Sequence, residues 1–545
     1  MKWDKKGNKN NKFSKGKSFN SFSKHQKFQD FEPKDANVGE LKIENVDSNY
    51  LLIGFVEKIQ QTGGPTVFMF SDGTGTLGLK GFIGPGERAY PEINEGDAIK
   101  VKIKLSEFRD ALEGEITGIS KLSDDEKKHL NIKIKEIEKK RAEVKFDKFM
   151  VEDIILEKMK KEFIKAAEEI KLAIIQNRPI IVRHHNDADG YSSGYALEKA
   201  IIPLIEKQHG GGKSPWEYYT RAPCAAPFYE LDDSIRDTAH SLANEAKFSN
   251  KMPLIIIADN GSSSEDLLAI LQGKVHGIDF IVVDHHYFGE DVITEHTLVH
   301  INPFLVGEDG SKFSAGMLCS ELAKLINKDA KVEQIPAMAG LADRINNEAA
   351  IESYLKIAKS IGYDKDLLFK IASVIDFVSS KLRFMEAREY IEVLFGEPME
   401  KQKKLVKLLD PHIKGLEAKG LEIAKKVVVI EKLNQITLQM LFVEENFRRG
   451  FYPKPGKCTG LIHDYIQESK KLTKVVTAGV LGDAITMRAT EGANFSVHEL
   501  IAYLSKNLPE AFVEGGGHKN AGAITFIPAK QKEVLIKFKE YIKGI

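Results

Sequence analysis

The chain reads as an α/β protein: a small N-terminal β-barrel, a lobe built on a parallel sheet, a helical connector and a smaller α/β lobe. Three observations predict this. Short alternating strands separated by glycine-rich turns fill 38–122, the pattern of a small barrel. Three apolar runs, Ile180-Ile181-Val182, Leu254-Ile255-Ile256-Ile257-Ala258 and Ile281-Val282-Val283, have helical stretches between them, as buried parallel strands do. After 426, strands and helices alternate again.

A chain of 545 residues exceeds one ordinary core, so roughly three or four domains are expected. Lys plus Arg and Asp plus Glu number 79 each, and with zero net charge any nucleic-acid surface must be local. Cys224, Cys319 and Cys458 lie far apart with no CxxC pair, which argues against a zinc knuckle or a disulfide framework and predicts buried thiols. No apolar run is long enough to span a bilayer, and the N-terminus lacks a signal-peptide core, so the expectation is a cytoplasmic protein that does not engage membranes.

Residues 1–37 predict a disordered basic arm, with nine lysines against Asp4 and Asp30 in the first thirty positions. Trp3, Phe13, Phe19, Phe22, Phe28 and Phe31 punctuate it, a pattern suited to single-stranded nucleic acid, to a partner protein or to a plain solubilising tail. In 38–122 the strands are Asn49–Val56, Thr66–Phe70, a turn from Ser71 to Leu77, and Asp97–Ile103. Their order resembles the nucleic-acid-binding OB-fold. Phe68, Phe70, Lys80, Phe82 and Tyr90 are then candidates for a stacking and phosphate surface, with about half of the aromatics expected in the core instead. The charged stretch 123–175, apolar at helical spacing through Ile154, Ile155, Met159 and Phe163, predicts a helical spacer packed on the next domain. The sheet lobe occupies 176–348, and amphipathic helices through Ile357, Leu368, Ile371, Phe377 and Leu394 form a connector over 349–425. The last lobe, 426–545, carries strands at Val427–Ile430, Lys474–Val480, Ile485–Ala489 and Ala523–Phe526. Gly210-Gly211-Gly212-Lys213-Ser214 is no P-loop, because Lys207 stands where its first glycine is required and no strand precedes it; a surface loop is expected.

The chemistry gathers at strand ends. After Ile180–Val182 comes His185-Asn186-Asp187-Ala188-Asp189-Gly190, in which His185, Asp187 and Asp189 alternate and would point the same way from an extended segment. Taken alone this is equally a polar turn with Asp189 capping a helix. The second run, however, ends in Asp259-Asn260-Gly261 and the third in Asp284-His285-His286, and Asp343 can join from a later helix. Ligands collected at one edge of an open parallel sheet mark its site. Two histidines and four carboxylates suffice for two metal ions sharing a bridging Asp, and this oxygen-rich donor set favours Mn²⁺ or Mg²⁺.

The set His185-x-Asp187-x-Asp189, Asp259, Asp284-His285-His286 and Asp343 resembles the DHH phosphoesterase superfamily. The match continues through Ser314-Ala315-Gly316 to Gly515-Gly516-Gly517-His518, which looks like the signature of the companion DHHA1 domain. The resemblance implies that His185, Asp187 and Asp259 hold one ion, while Asp189, Asp259, His285 and Asp343 hold the other. It also implies that Asp284 and His286 orient ligands or face phosphate, that Ser314, Gly316, Gly516, Gly517 and His518 meet the substrate, and that Arg488 holds the strand further out unless it is a solvated strand residue. His184 gains no role.

The function implied is that of a RecJ-like exonuclease on single-stranded DNA or RNA, with barrel and arm feeding the strand and a helicase or a replication or repair protein as partner. RecJ proteins carry the OB-fold after the DHHA1 lobe, whereas here it precedes the DHH lobe. That order is closer to archaeal-type relatives, including helicase-associated ones that degrade from the 3′ end. Two alternatives stand beside it: hydrolysis of short oligonucleotides, cyclic dinucleotides or pyrophosphate, and a non-catalytic replication or repair scaffold.

Overall fold

Inward-facing alternation closes the barrel. In the computed structural model, which describes residues 32–108, 111–209, 212–224, 226–245, 250–382 and 388–545, strands β2 (Asn49–Gln61), β3 (Thr66–Ser71), β4 (Thr76–Gly81), β5 (Ala98–Phe108) and β6 (Ala111–Lys121) run in the order β2-β3-β4-β6-β5, and β5 pairs back onto β2. The short β1 (Lys34–Asp35) adds to β2 in parallel. The expected basic arm up to Phe31, and Gly210-Gly211, lie outside the described residues.

The aromatics of the barrel divide by register. Phe68 and Phe70 sit two apart on β3, so both point inward, and both are wholly buried in the barrel core with Leu52, Val101 and Ile103. Two of the five residues expected on a stacking surface are therefore core residues. Phe82 is 63% exposed, Tyr90 packs partly buried against Phe68 at 6.2 Å, and Lys80 is ion-paired with Glu113. The strand β6, with glycines and few apolar residues, was not legible as a strand; its long antiparallel pairing with β5 fixes it.

The second sheet joins β7 (Ile180–His184), β8 (Tyr219–Pro223), β9 (Leu254–Ala258), β10 (Asp279–Val283) and β11 (Val299–Ile301) in the order β11-β10-β9-β7-β8, all parallel. Its apolar runs are continuous because both faces are buried. Ile180, Val182, Leu254 and Ile256 pack into one cluster with the helices Ile154–Ile175, Ala188–His209 and Ala315–Ile326, and Ile181, Ile255 and Ile257 pack into another with the helix Ser264–Val275. Within 123–175, the helix Asp124–Ala142 starts on a Ser123–Glu126 capping box. The second helix, Ile154–Ile175, buries Ile155, Met159 and Phe163 in the sheet's own core, while Ile154 is exposed.

Chain order reverses between β7 and β9, since β8 lies on one side of β7 and β9 on the other. That adjacency places the ends of β7 and β9 side by side at the switch point of the sheet. Helices Glu348–Ser360, Lys365–Leu382, Arg388–Leu394 and Met399–Val427 connect to a mixed sheet, β12 (Val429–Leu433), β13 (Ile436–Phe442), β14 (Val475–Val480), β15 (Ala484–Ala489), β16 (Glu514–His518) and β17 (Ala521–Thr525), ordered β12-β13-β14-β15-β17-β16. The glycine-rich segment is thus an edge strand. Among the described residues no helix is long and apolar enough to cross a membrane, and all three cysteines are free and buried.

Candidate metal centre

The loop after β7 is shaped by close backbone approach. A side chain on Gly190 would collide with the carbonyl of His185, so glycine is required where the chain turns into the helix Ala188–His209. Asp187, not Asp189, caps this helix: its Oδ1 accepts the Gly190 N–H at 2.9 Å, and its Oδ2 lies 3.0 Å from His185 Nδ1. Asp189 sits inside the first turn, buried, and its Oδ1 accepts the Gly316 N–H at 3.1 Å. The helix Ala315–Ile326 is capped by buried Ser314, whose Oγ accepts from Met317 N, and so presents its positive end to Asp189. Gly316 thus meets Asp189 and its helix, while Ser314 caps its own helix.

Asp259 directly follows β9 with φ +61°, a conformation uncommon for a residue with a side chain and typical of strained functional turns. Its amide donates to Val283 O at 2.9 Å, and the turn drives its carboxylate into the middle of the site. Oδ2 lies 3.5 Å from His185 Nδ1 and Oδ1 3.3 Å from His285 Nε2. The buried His285 gives Nδ1–H to Gly310 O at 3.1 Å, which turns Nε2 inward, 3.6 Å from Asp343 Oδ2 and 3.9 Å from Asp189 Oδ2. Asp284 holds its own turn: Oδ1 accepts from the amides of His285 and His286 and from His286 Nδ1 at 2.8 Å. His518, at the end of β16, stacks on His286 with ring centroids 5.0 Å apart and reaches within 3.7 Å of Asp343 Oδ2.

Three overlapping sets of donor atoms therefore share Asp259: His185 with Asp187, Asp189 with His285, and Asp284 with His286, each set having all its donor atoms within 4.8 Å of one another; in the last, Asp284 Oδ1 is already taken up by its own turn. Asp343 approaches the second set through His285. Both oxygens of Asp259 and Oδ2 of Asp189 are buried with no hydrogen-bond partner. Burial and repulsion from Asp259 push the Asp189 carboxyl well above its ordinary range. Against the effect of burial, His185 and the Gly190 amide hold Asp187 well below its own, and the surrounding carboxylates hold His185 and His285 well above the usual imidazole range. Buried acceptors this crowded, facing inward imidazoles, fit divalent cations.

The remaining expected residues line the same cleft. Gly516 has open space around its α-carbon, whereas Gly517 has φ +120° and a side chain there would meet Ala521 O and Gly522 Cα at 2.7 Å; both lie just before His518 on the edge strand β16. Arg488 on β15 is solvent-accessible but lies among Arg344, Asp343 and Asp464. Some contributors were not expected. Asp376 of the connector accepts the Ala188 amide at 2.9 Å, Lys454 donates to Asn186 O at 3.0 Å, and Arg344 bridges to Asp464 across the cleft mouth at 3.3 Å. His184 is buried; burial and the neighbouring Arg221 push it down to about 3, and its Nδ1 donates to His185 O at 2.8 Å while Nε2 receives Arg221. Apart from the His184–His185 contact, local sequence carries no signal for these contacts, because their partners are distant in the chain.

Comparison with known proteins supports the same architecture. The model of the DHH family's N-terminal domain matches residues 179–344. An uncharacterized protein of Methanocaldococcus jannaschii is 34% identical over 538 residues, covering 93% of this chain and 70% of that protein. The solved DHH domain of a member of a ribosomal-protein family is 35% identical with a TM-score of 0.72, covering 78% of this chain and 100% of that one. RecJ of Thermus thermophilus, solved with Mn²⁺, shares the fold at a TM-score of 0.50 and 17% identity, over 71% of this chain and 55% of RecJ.

Proposed function

The chain belongs to the DHH family, and from that premise we propose that it is a metal-dependent exonuclease, hydrolysing phosphodiester bonds of single-stranded DNA or RNA from the 3′ end. The observation that carries this reading is Asp259, which turns one unpartnered oxygen toward each of two donor sets. On this reading His185, Asp187 and Asp259 hold one ion, and Asp189, Asp259, His285 and Asp343 hold the second. The oxygen-rich donors suit Mn²⁺ or Mg²⁺. When bound, two such ions would supply an activated water and neutralise charge on the leaving oxygen.

The chain's own groups do the rest. Asp284 fixes the His286 ring, and stacked His286 and His518 offer ring N–H groups to phosphate oxygens beside the centre. Gly310 O and the Gly316 amide hold His285 and Asp189 in place, so little reorganisation is needed on binding. The open space at Gly516 lets a phosphate approach the backbone closely, and Arg488 with Arg344 offers positive charge further out. The barrel, over 38–122, delivers the strand, with exposed Phe82 a platform for bases. Completeness of both donor sets weighs against a purely structural scaffold. On this reading the protein acts on DNA or RNA in the cytoplasm.

The test is Mn²⁺-dependent digestion of 5′- and 3′-labelled single strands of both chemistries, beside a duplex and a dinucleotide. Loss of the 3′ label first, on single strands, is the expected result. Faster turnover of the dinucleotide would overturn the choice of substrate, and cleavage of duplex alone would overturn the cleft argument.

A further inference from the structure

We infer that His184, buried beside the metal centre, is a positioning residue: it holds the His185 carbonyl and so sets the segment that carries His185 and Asp187. The inference rests on the two-ion arrangement proposed above. It gives a role to a wholly buried polar side chain at the end of β7.

Strand alternation puts His184 on the same side of β7 as Ile180 and Val182, under the helix Ala188–His209. An apolar side chain would suit that place. The imidazole instead has a partner on each nitrogen. Arg221 on β8 brings Nη1 to 3.2 Å from Nε2, and because a guanidinium only donates, Nε2 accepts. The ring proton is thereby left on Nδ1, which donates to His185 O at 2.8 Å. Arg221 is fixed in turn. Its Nε donates to Glu198 Oε2 at 2.9 Å with both side chains buried, and Arg388 Nε lies 3.7 Å from Glu198 Oε1. A buried network with its partners in place holds one geometry.

Packing leaves the ring little room. Tyr191 meets it edge-on with centroids 4.7 Å apart, and a side-chain carbon on Gly194 would stand 2.6 Å from His184 Cδ2 and 3.0 Å from Arg221 Cδ. The His185 carbonyl lies between this ring and Gly190, where any side chain would collide with it. The same segment is held at two further points, Asn186 O by Lys454 and the Ala188 amide by Asp376. Those two holds come from the other lobe and the connector, whereas His184 holds the segment from within its own sheet. Ligands oriented in this way meet an ion without reordering, and loss of such a hold costs about 10–100-fold in metal affinity.

The experiment is Mn²⁺ titration of the full chain, read by the electron paramagnetic resonance of free Mn²⁺, on variants that separate the two nitrogens. An Asn side chain places its amide N–H near the imidazole Nδ1, and a Gln side chain places its amide near Nε2. His184→Gln should therefore keep a partner for Arg221, lose the donor to His185 O, and weaken one of two Mn²⁺ sites about 10- to 100-fold. His184→Asn should stay close to wild type. In a His185→Ala background, His184→Gln should weaken nothing further, because the ligand it acts through is gone. Gly194→Ala displaces the ring without removing a polar group; it should weaken the same site, and it carries the comparison if His184→Gln fails to fold in chelator. Unchanged Mn²⁺ affinity in the folded variant overturns the inference. So does His184→Asn falling as far as His184→Gln, the result of a purely structural role, or a full further loss in the His185→Ala background. Parallel digestion of single strands separates the two claims. Strand degradation with unchanged Mn²⁺ affinity in His184→Gln refutes the positioning role alone, and a weakened site in a chain that degrades no strand refutes the functional reading alone.

Discussion

Replacing Asp259 by Asn should abolish catalysis and yet stabilise the metal-free protein. The substitution keeps shape and removes one charge. Asp259 oxygens lie within 4.8 Å of donor oxygens of Asp187, Asp189 and Asp284, each in its own cluster. At an effective dielectric of about 20, one such pair of charges repels by roughly 3 kcal/mol. His185 and His285, held protonated by these same acids, cancel much of that, so a net gain of about 1–3 kcal/mol in metal-free stability is expected for Asp259→Asn. The metal-bound state behaves oppositely. Each ion at 100 times its dissociation constant stabilises the folded form by about 2.7 kcal/mol, and a residue common to both sites forfeits both contributions when its charge is lost. The assay is thermal unfolding of wild type and variant in chelator and in Mn²⁺, beside strand cleavage. A rise of the midpoint in chelator, no Mn²⁺-induced shift, and a rate lower by at least about 10²–10³-fold are predicted. A variant that keeps the wild-type Mn²⁺ shift or rate would refute the bridging role.

Three further outcomes follow from neighbouring geometry. A side-chain carbon on Gly316 would stand 2.6 Å from Ala339 Cβ, 2.8 Å from Asp189 Oδ1 and 3.0 Å from Ser192 Cβ, so Gly316→Ala should cost about 1–3 kcal/mol and weaken Mn²⁺ binding, read by thermal shift and titration; unaltered affinity would show that Asp189 is not held from this side. Arg183 is buried in an ion pair with Asp237 and lies 3.4 Å from Asp233, so Arg183→Met should destabilise the lobe by about 3–5 kcal/mol in urea unfolding by removing the cation from the buried Asp237, and a neutral effect would contradict that. Glu321 is buried between the Met150 amide and the Tyr354 hydroxyl, and burial pushes it up to about 7 from an ordinary 4.5. The folded state therefore holds this proton more tightly than the unfolded chain. Its stabilising contribution is complete below pH about 4.5 and is lost as pH rises through 7, so wild type should lose about 3 kcal/mol relative to Glu321→Gln between pH 4.5 and 8, a difference that flat unfolding curves would contradict.

Much of this arrangement is legible in the sequence because parallel strands announce themselves. Ile180–Val182, Leu254–Ala258 and Ile281–Val283 are buried on both faces, and the polar residues that follow each run must emerge at one edge. The structure gathers those residues there. What the sequence hides has specific causes. The glycines of β16 have no side chains to alternate, so the segment carries no period-two signal although it pairs in register with β17. Phe68 and Phe70 look like a binding surface by composition, and only the closure of the barrel turns them inward. Asp187 rather than Asp189 caps the helix because the helix begins one residue before Asp189, a boundary that periodicity does not resolve. Lys454 meets Asn186 across 268 residues of chain, a contact made by lobe docking alone.

The central claim is that Asp187 serves one ion and Asp189 the other, with Asp259 between them. Crystals grown in Mn²⁺ and measured at the manganese absorption edge test it directly. The account predicts two anomalous peaks, one against His185 and Asp187, the other against Asp189, His285 and Asp343, and Asp259 touching both; a single peak bound by Asp187 and Asp189 together would contradict it.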